Sequence, residues 1–317
     1  MTNQENYLWD KSQPVDKEIL KLEETLSALR YKGEAPKQIH LWKFARLAIA
    51  ASIILAIGVW LIAYQPTDSS MSGWDVVALT GIATIDSKPL HEAGQLGIGQ
   101  WLETDKNSTA KLNVSSIGDV TVYPNSRLGL LVSMEQKEHR LKLDHGKIKA
   151  FIIAPPRLFF VDTPSALAVD YGCEYILEVD EYGNGELEVK LGWVSLERDG
   201  RQSRVPMNGY CQIRADFGPG TPYFNDATQS FLDALNKLDF NGAGDEALQT
   251  LLDEAQSHDS LTLWHLLMRD DEQQRGKIFD RMKSLNAPMP KSVTRKGVVD
   301  LEQKMLYEWW DVLKSSW

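Results

Sequence analysis

The chain is short of the side chains from which metal and catalytic centres are usually built. Cysteine occurs twice and histidine six times in 317 residues. Neither is spaced as Cys-x-x-Cys or His-x-x-x-His, so no dedicated metal site is expected. The glycine stretches GIGQ (97–100) and GAGDE (242–246) lack the lysine and the strand-to-helix context of a phosphate cradle, and read as plain turns. A basic excess is missing as well. The formal charge is −10, which argues against a general nucleic-acid binder, because such a protein displaces counterions with a positive face. Cys173 has Asp170, Tyr171, Glu174 and Tyr175 near it in sequence, but no base is marked for it. Neither an enzyme nor a cofactor is therefore predicted. His265, on an apolar helix face in LTLWHLLMR, reads as a buried and satisfied histidine, and His145 in LDHGKI reads as part of a turn.

Long charge-free runs are absent too, with one exception. From Leu47 to Tyr64 the chain reads LAIAASIILAIGVWLIAY, 18 residues without a charge or a proline. At the helical rise such a run spans about 27 Å, close to the hydrocarbon thickness of a bilayer. Trp42 precedes it and Trp60 and Tyr64 close it, where amphipathic rings favour the two headgroup levels. A buried core helix would carry some polar face over this length, and this run has only Ser52. A polar stretch of 46 residues comes before it and no A-x-A site follows, which predicts an uncleaved anchor. Lys37, Lys43 and Arg46 stand before the span, and no Lys or Arg occurs between Gln65 and Ser87. Residues 1–46 are thus expected in the cytoplasm and 65–317 outside the membrane.

What is present divides the rest. In the tail, DKEILKLEETLSALRYKG (16–33) predicts a helix with Asp16 as its N-cap and Gly33 as its stop. Ile19, Leu22, Leu26 and Leu29 share one face of it. So short a tail can hardly build a core to bury that stripe, and the mixed charges of Asp16, Lys17, Glu18 and Lys21 suit a membrane surface poorly. The stripe is expected to bind a cytoplasmic protein partner. QPTDSSMSG (65–73) reads as a linker. Residues 74–224 show period-2 alternation with turn signals, and Asn184-Gly185, Asp199-Gly200 and Asn208-Gly209 each predict a tight hairpin. Residues 225–317 change to helical spacing and predict a module of four or five short helices. The expected fold is a multi-domain α+β membrane protein: one transmembrane helix, a mostly antiparallel β-domain of roll or solenoid type, and a C-terminal helical module.

The two cysteines, both on the outer side, can pair in an oxidising compartment. Closing the 39-residue loop from Cys173 to Cys211 would stabilise by up to about 4 kcal/mol. Tight two-residue hairpins in a flat meander hold the sulfurs too far apart, whereas a rolled sheet with one bulge brings them together. Cys173 is read as framework, bridged to Cys211 if the sheet rolls far enough.

GKIKAFIIAPPRLFFVDTPSALAVDYGCEYILEVDEYGNGELEVKLGWVSLE, with Gly146, Thr163, Pro164, Ala168, Gly172, Gly192 and Val194, resembles the FecR domain of bacterial transmembrane regulators. PNSRLGL upstream is similar to that family's Pro-x-Ser-x-Leu stretch, and Cys173 stands where the family usually has threonine. The resemblance covers about 75–215 and implies an inner-membrane regulator with a periplasmic β-rich sensor. It also implies a cytoplasmic N-terminus that binds a sigma factor, and an envelope component as the external signal. The competing expectation is an envelope scaffold or glycan-binding module on a passive anchor, with Trp74, Trp101 and Trp193 as stacking surfaces.

Overall fold

In the computed structural model of the chain, the described residues are 17–27, 73–132, 138–242, 244–269 and 272–317. The chain divides into two compact units, Met1–Thr67 and Asp68–Trp317. In the first, the helix α1 (Lys17–Ser27) forms where the tail periodicity predicts one. Its Thr25 and Ser27 hydroxyls donate to the carbonyls of Lys21 and Glu24, each at 2.7 Å. Asp16, Leu29, Gly33, the apolar run 47–64 and most of the linker lie outside the described residues. Among the described residues no helix is long and apolar enough to cross a membrane.

The second unit pairs two sheets and packs a helical module against them. One sheet runs in the order β4 (Ala93–Leu96), β1 (Trp74–Thr80), β6 (Thr109–Val114), β7 (Gly118–Val122) and the second half of β9 (His139–Ile152). It continues through β12 (Glu174–Val179), β13 (Gly185–Leu191) and β16 (Gly209–Arg214), with short β17 (Gly218–Pro219) and β18 (Tyr223–Phe224) at its edge. The other sheet runs β3 (Lys88–Leu90), β2 (Ala83–Ile85), β5 (Trp101–Thr104), β8 (Ser126–Leu130), the first half of β9, β10 (Phe159–Asp162), β11 (Leu167–Asp170), β14 (Trp193–Arg198) and β15 (Arg201–Pro206). All of these pairings are antiparallel except β9 with β10.

Alternation explains how the two sheets share one core. In EYILEV, Tyr175, Leu177 and Val179 point inward; in β16, Cys211 and Ile213 do. They meet Leu141, Phe159, Val161, Ala168 and Leu196 from the opposite sheet. Each such buried apolar side chain contributes about 1.5–3 kcal/mol.

The residues behind the family resemblance mark where the chain bends or changes sheet. Gly146 lies within β9 where it passes from one sheet to the other, at φ +101°, and a Cβ there would come within 2.3 Å of the Ser126 backbone. His145 therefore sits inside a continuous strand and not in a turn. Thr163 closes the β10–β11 hairpin: its hydroxyl accepts from the amide of Ala166 and donates to the same residue's carbonyl. Gly192, at φ +74°, carries the chain from β13 to β14 in the other sheet. A Cβ on it would lie 2.4 Å from the carbonyl of Gly172, at the neighbouring crossing.

The turns depart from expectation twice. Asp199-Gly200 forms the tight hairpin, with Arg198 opposite Arg201 and both turn residues at positive φ. Asn184-Gly185 does not: Val179 faces Gly185 across a loop of 180–184, which the Asp180 carboxylate holds by accepting from the amides of Tyr182 and Asn184. Asn208-Gly209 joins strands in different sheets, so it turns a corner.

The helical module comprises α2 (Gln229–Phe240), α3 (Asp245–Glu254), α4 (Ser260–Leu267), α5 (Glu272–Ser284), α6 (Arg295–Val299) and α7 (Gln303–Leu313). Thr228 caps α2 by accepting from the amide of Phe231 at 3.1 Å, as the short polar side chain before an apolar run dictates. Helix α4 is buried on every face, which its all-round apolar text requires. Trp193, Tyr210 and Phe224 of the sheets pack onto this second core.

Candidate functional sites

The predicted stripe on α1 is partly visible. Leu22 is 64% exposed and Leu26 53%, and Leu20, on another face of the helix, is exposed as well. The helix thus presents apolar side chains to solvent, a state that costs free energy unless something covers them. The Ile19 side chain and Leu29 lie outside the described residues.

Cys173 and Cys211 are both buried free thiols, so the expected bridge does not form in this structure. Register supplies the reason. Cys211 stands opposite Leu187, whereas Cys173 lies against Gly192, beyond the end of the β12–β13 pairing. Five residues of strand separate those two places, on the order of 16 Å, against the 7 Å or so that a disulfide tolerates. The bridge was expected only if the sheet rolled far enough; the chain does change sheets at Gly192, but the two cysteines stay at different registers. Cys173 Sγ donates instead to Asp170 Oδ2, and the Gly172 amide donates to Asp170 Oδ1 at 2.6 Å. Burial raises the Asp170 carboxyl to about 6. Burial, with the Asp170 charge beside it, pushes the Cys173 thiol far above its ordinary range, and burial raises Cys211 to about 12. Neither sulfur is a nucleophile near neutral pH. Among the described residues no group of three or more His, Cys, Asp and Glu is placed to hold a metal ion.

Two polar clusters lie where the helices meet the strands. In the first, Asp239 of α2, whose side chain is 4% exposed, accepts from Arg201 of β15 at 2.7 Å and from Arg269 at 3.0 Å. It also accepts from the Thr221 amide at 2.6 Å. Arg269 donates further to Ser203 Oγ at 2.7 Å and to the Gly220 carbonyl at 3.1 Å. His265 supports the same junction. Its Nδ1 donates to the Leu261 carbonyl at 2.8 Å and its Nε2 accepts from the Arg204 amide at 3.1 Å, which fixes the tautomer. Burial, with the Arg269 charge behind it, holds this imidazole down at about 3, so it stays neutral. It is the satisfied histidine that its apolar helix face predicts.

The second cluster is a cleft between the outer face of β14–β15 and helix α7, with a cavity of about 210 Å³. Alternation along WVSLER puts Trp193 and Ser195 on this face, since Val194 and Leu196 point into the sheet core. Register places Arg204 opposite Ser195. Helix α7 contributes Trp310, and Lys314 follows at its C-cap. The Trp193 and Trp310 rings lie 5.7 Å apart, and the Arg204 guanidinium sits 5.5 Å from the Trp310 ring centre. Ser195 is 0% exposed and its hydroxyl has no hydrogen-bond partner. Of this cleft only Trp193 stood out in sequence. The signal that would have added Ser195 is the period of two from Trp193, which marks a small polar residue on a face otherwise covered by helices.

The other aromatics offered as stacking surfaces are placed differently. Trp74 is 4% exposed and belongs to the sheet core, so it offers no face to a sugar. Trp101 is half-buried under the Arg127 guanidinium, 4.1 Å from the ring centre.

Comparison with known proteins adds little. No family model matches the chain, and no curated protein matches it. Two crystal structures of a protein from Parabacteroides distasonis, described as a "putative anti-sigma factor", align with it at 12% identity and a TM-score of 0.35. The alignments cover 42% of this chain and 63% and 62% of those chains, so it spans less than two thirds of their length.

Proposed function

We propose that the chain is a single-pass regulator of the bacterial inner membrane. Residues 1–46 would face the cytoplasm, 47–64 would span the bilayer, and 65–317 would lie in the periplasm. The external β-domain and helical module receive a signal by binding an envelope component. The tail helix holds a sigma factor, and transcription responds when that hold changes.

The observation that carries this reading is α1, with Leu22 and Leu26 more than half exposed on a helix of 11 residues. An isolated helix so short is marginal in water, so a partner groove that covers its apolar face would stabilise it. The resemblance to the FecR domain supports the external half. Its Gly146, Thr163 and Gly192 lie at a strand bend, a hairpin and a sheet crossing, which are positions that define a fold.

The test is co-purification from cells. With the full chain as bait, a sigma factor identified by mass spectrometry is expected in the eluate. Leu22→Asp combined with Leu26→Asp is expected to remove it by at least about tenfold, as loss of the central apolar anchors does elsewhere. Equal recovery with the double variant would sink the proposal.

A further inference from the structure

We propose that the cleft between β14–β15 and α7 binds a small planar organic anion, most simply an aromatic carboxylate. The inference does not depend on the tail or on a sigma factor, because every residue it uses belongs to Asp68–Trp317.

Three observations point to one chemistry. The Ser195 hydroxyl is fully buried, lines the cavity and has no partner. A buried hydroxyl left unpaired costs about 1–3 kcal/mol, and a ligand atom in the cavity would recover that cost. Arg204, opposite it, has no ion pair among the described residues; its Nε donates to Gln202 Oε1 at 3.1 Å and its central carbon lies 5.5 Å from the Trp310 ring centre. A guanidinium tethered through its Nε keeps its remaining N–H groups in a planar fork, which matches a carboxylate. Lys314 adds a second cation; it pairs with Asp311 at 2.6 Å and keeps further donors.

The walls set the rest of the ligand. Trp193 and Tyr171, both half-buried, supply flat apolar surface, the largely buried Trp310 backs them, and no acidic side chain lines the cavity. A planar ring stacks on such surface, whereas a flexible chain would lose more freedom on entry. At about 210 Å³ the cavity falls below the 300 Å³ or so of a typical drug-sized site, which limits the ligand to one or two fused rings.

The test uses the full chain in lipid nanodiscs, titrated calorimetrically with indole-3-carboxylate and, separately, with uncharged indole-3-carboxamide. Saturable 1:1 binding of the carboxylate is expected, at least about tenfold tighter than the carboxamide, as a charge-assisted pair requires. Arg204→Gln should weaken the carboxylate by about tenfold and leave the carboxamide unchanged. Ser195→Ala should weaken both by a few-fold. Lys314→Gln, an exposed change with no effect on folding, should weaken the carboxylate alone by about threefold and keeps the test decisive if Arg204→Gln fails to fold. No saturable binding, equal affinity for the two probes, or indifference of the carboxylate to both cation variants would overturn the assignment. So would tight binding of a neutral glycoside in place of the carboxylate.

Discussion

Ser203 and Ser195 lie on adjacent strands, and both are 0% exposed. Their surroundings differ completely. Ser203 donates to the Gly220 carbonyl at 2.6 Å and accepts from Arg269 at 2.7 Å, inside a cluster that joins β15, the Gly220–Thr221 loop and α2. Ser195 faces a cavity with nothing to bond. A buried polar cluster that satisfies its own members holds the fold together; one that leaves a donor open, beside a guanidinium with no carboxylate partner among the described residues, suits something that arrives later. The same junction of strands and helices therefore contains a clamp and a site.

The clamp breaks first. Asp239→Ala removes the carboxylate that accepts from both Arg201 and Arg269 and leaves the Thr221 amide without its acceptor. Loss of one member of a buried ion pair costs about 3–5 kcal/mol, and chemical denaturation should show the unit destabilised by that order. The loss is expected to loosen the helices before the sheet core, so the Trp193–Trp310 contact is a suitable fluorescence reporter.

The next effect is on pH dependence. The folded state keeps His265 neutral down to about 3, whereas the unfolded chain protonates it near 6.5. The unfolded state then binds more protons, so stability falls as pH drops through this window. Asp170 works the other way, because its folded value near 6 lies above its ordinary 3.8, and acidification between those values stabilises the fold. The two partly cancel. Denaturation curves from pH 6.5 to 4 should show a shallow acid slope in the unaltered protein and a steeper one in Asp170→Asn. A slope unchanged by that substitution would mean that Asp170 does not titrate in the window.

Much of this was legible in sequence, and the rest was hidden for identifiable reasons. Period-2 alternation marked residues 74–224 as β-structure, and EYILEV and YCQIR do form strands, because a strand's side-chain period is local. The buried helix around Leu263 and His265 was equally plain. Asn184-Gly185 misled because Asp180, four residues before Asn184, organises a longer loop with its own carboxylate. The cysteines stay unbridged in this structure for a related reason: the register of β13 against β12 and β16 sets their separation, and nothing in KLGWV announces that register or which sheet follows Gly192. The cleft was invisible for a stronger reason. Ser195 and Trp310 meet only through tertiary packing, and no spacing in the sequence carries that information.

The smallest effect sharpens the comparison most. Ser203→Ala and Ser195→Ala delete the same hydroxyl from neighbouring strands with the same burial. For Ser203 the deletion leaves an Arg269 N–H and the Gly220 carbonyl short of a partner, and about 1–3 kcal/mol should be lost. For Ser195 nothing in the protein loses a bond, and the unpaired hydroxyl itself goes, so stability without ligand should be unchanged or rise by up to about 1 kcal/mol. Thermal melts of the two variants, measured side by side, decide it. If Ser195→Ala destabilises as much as Ser203→Ala, the Ser195 hydroxyl has a partner within the protein, and the cleft loses the donor that made it a site.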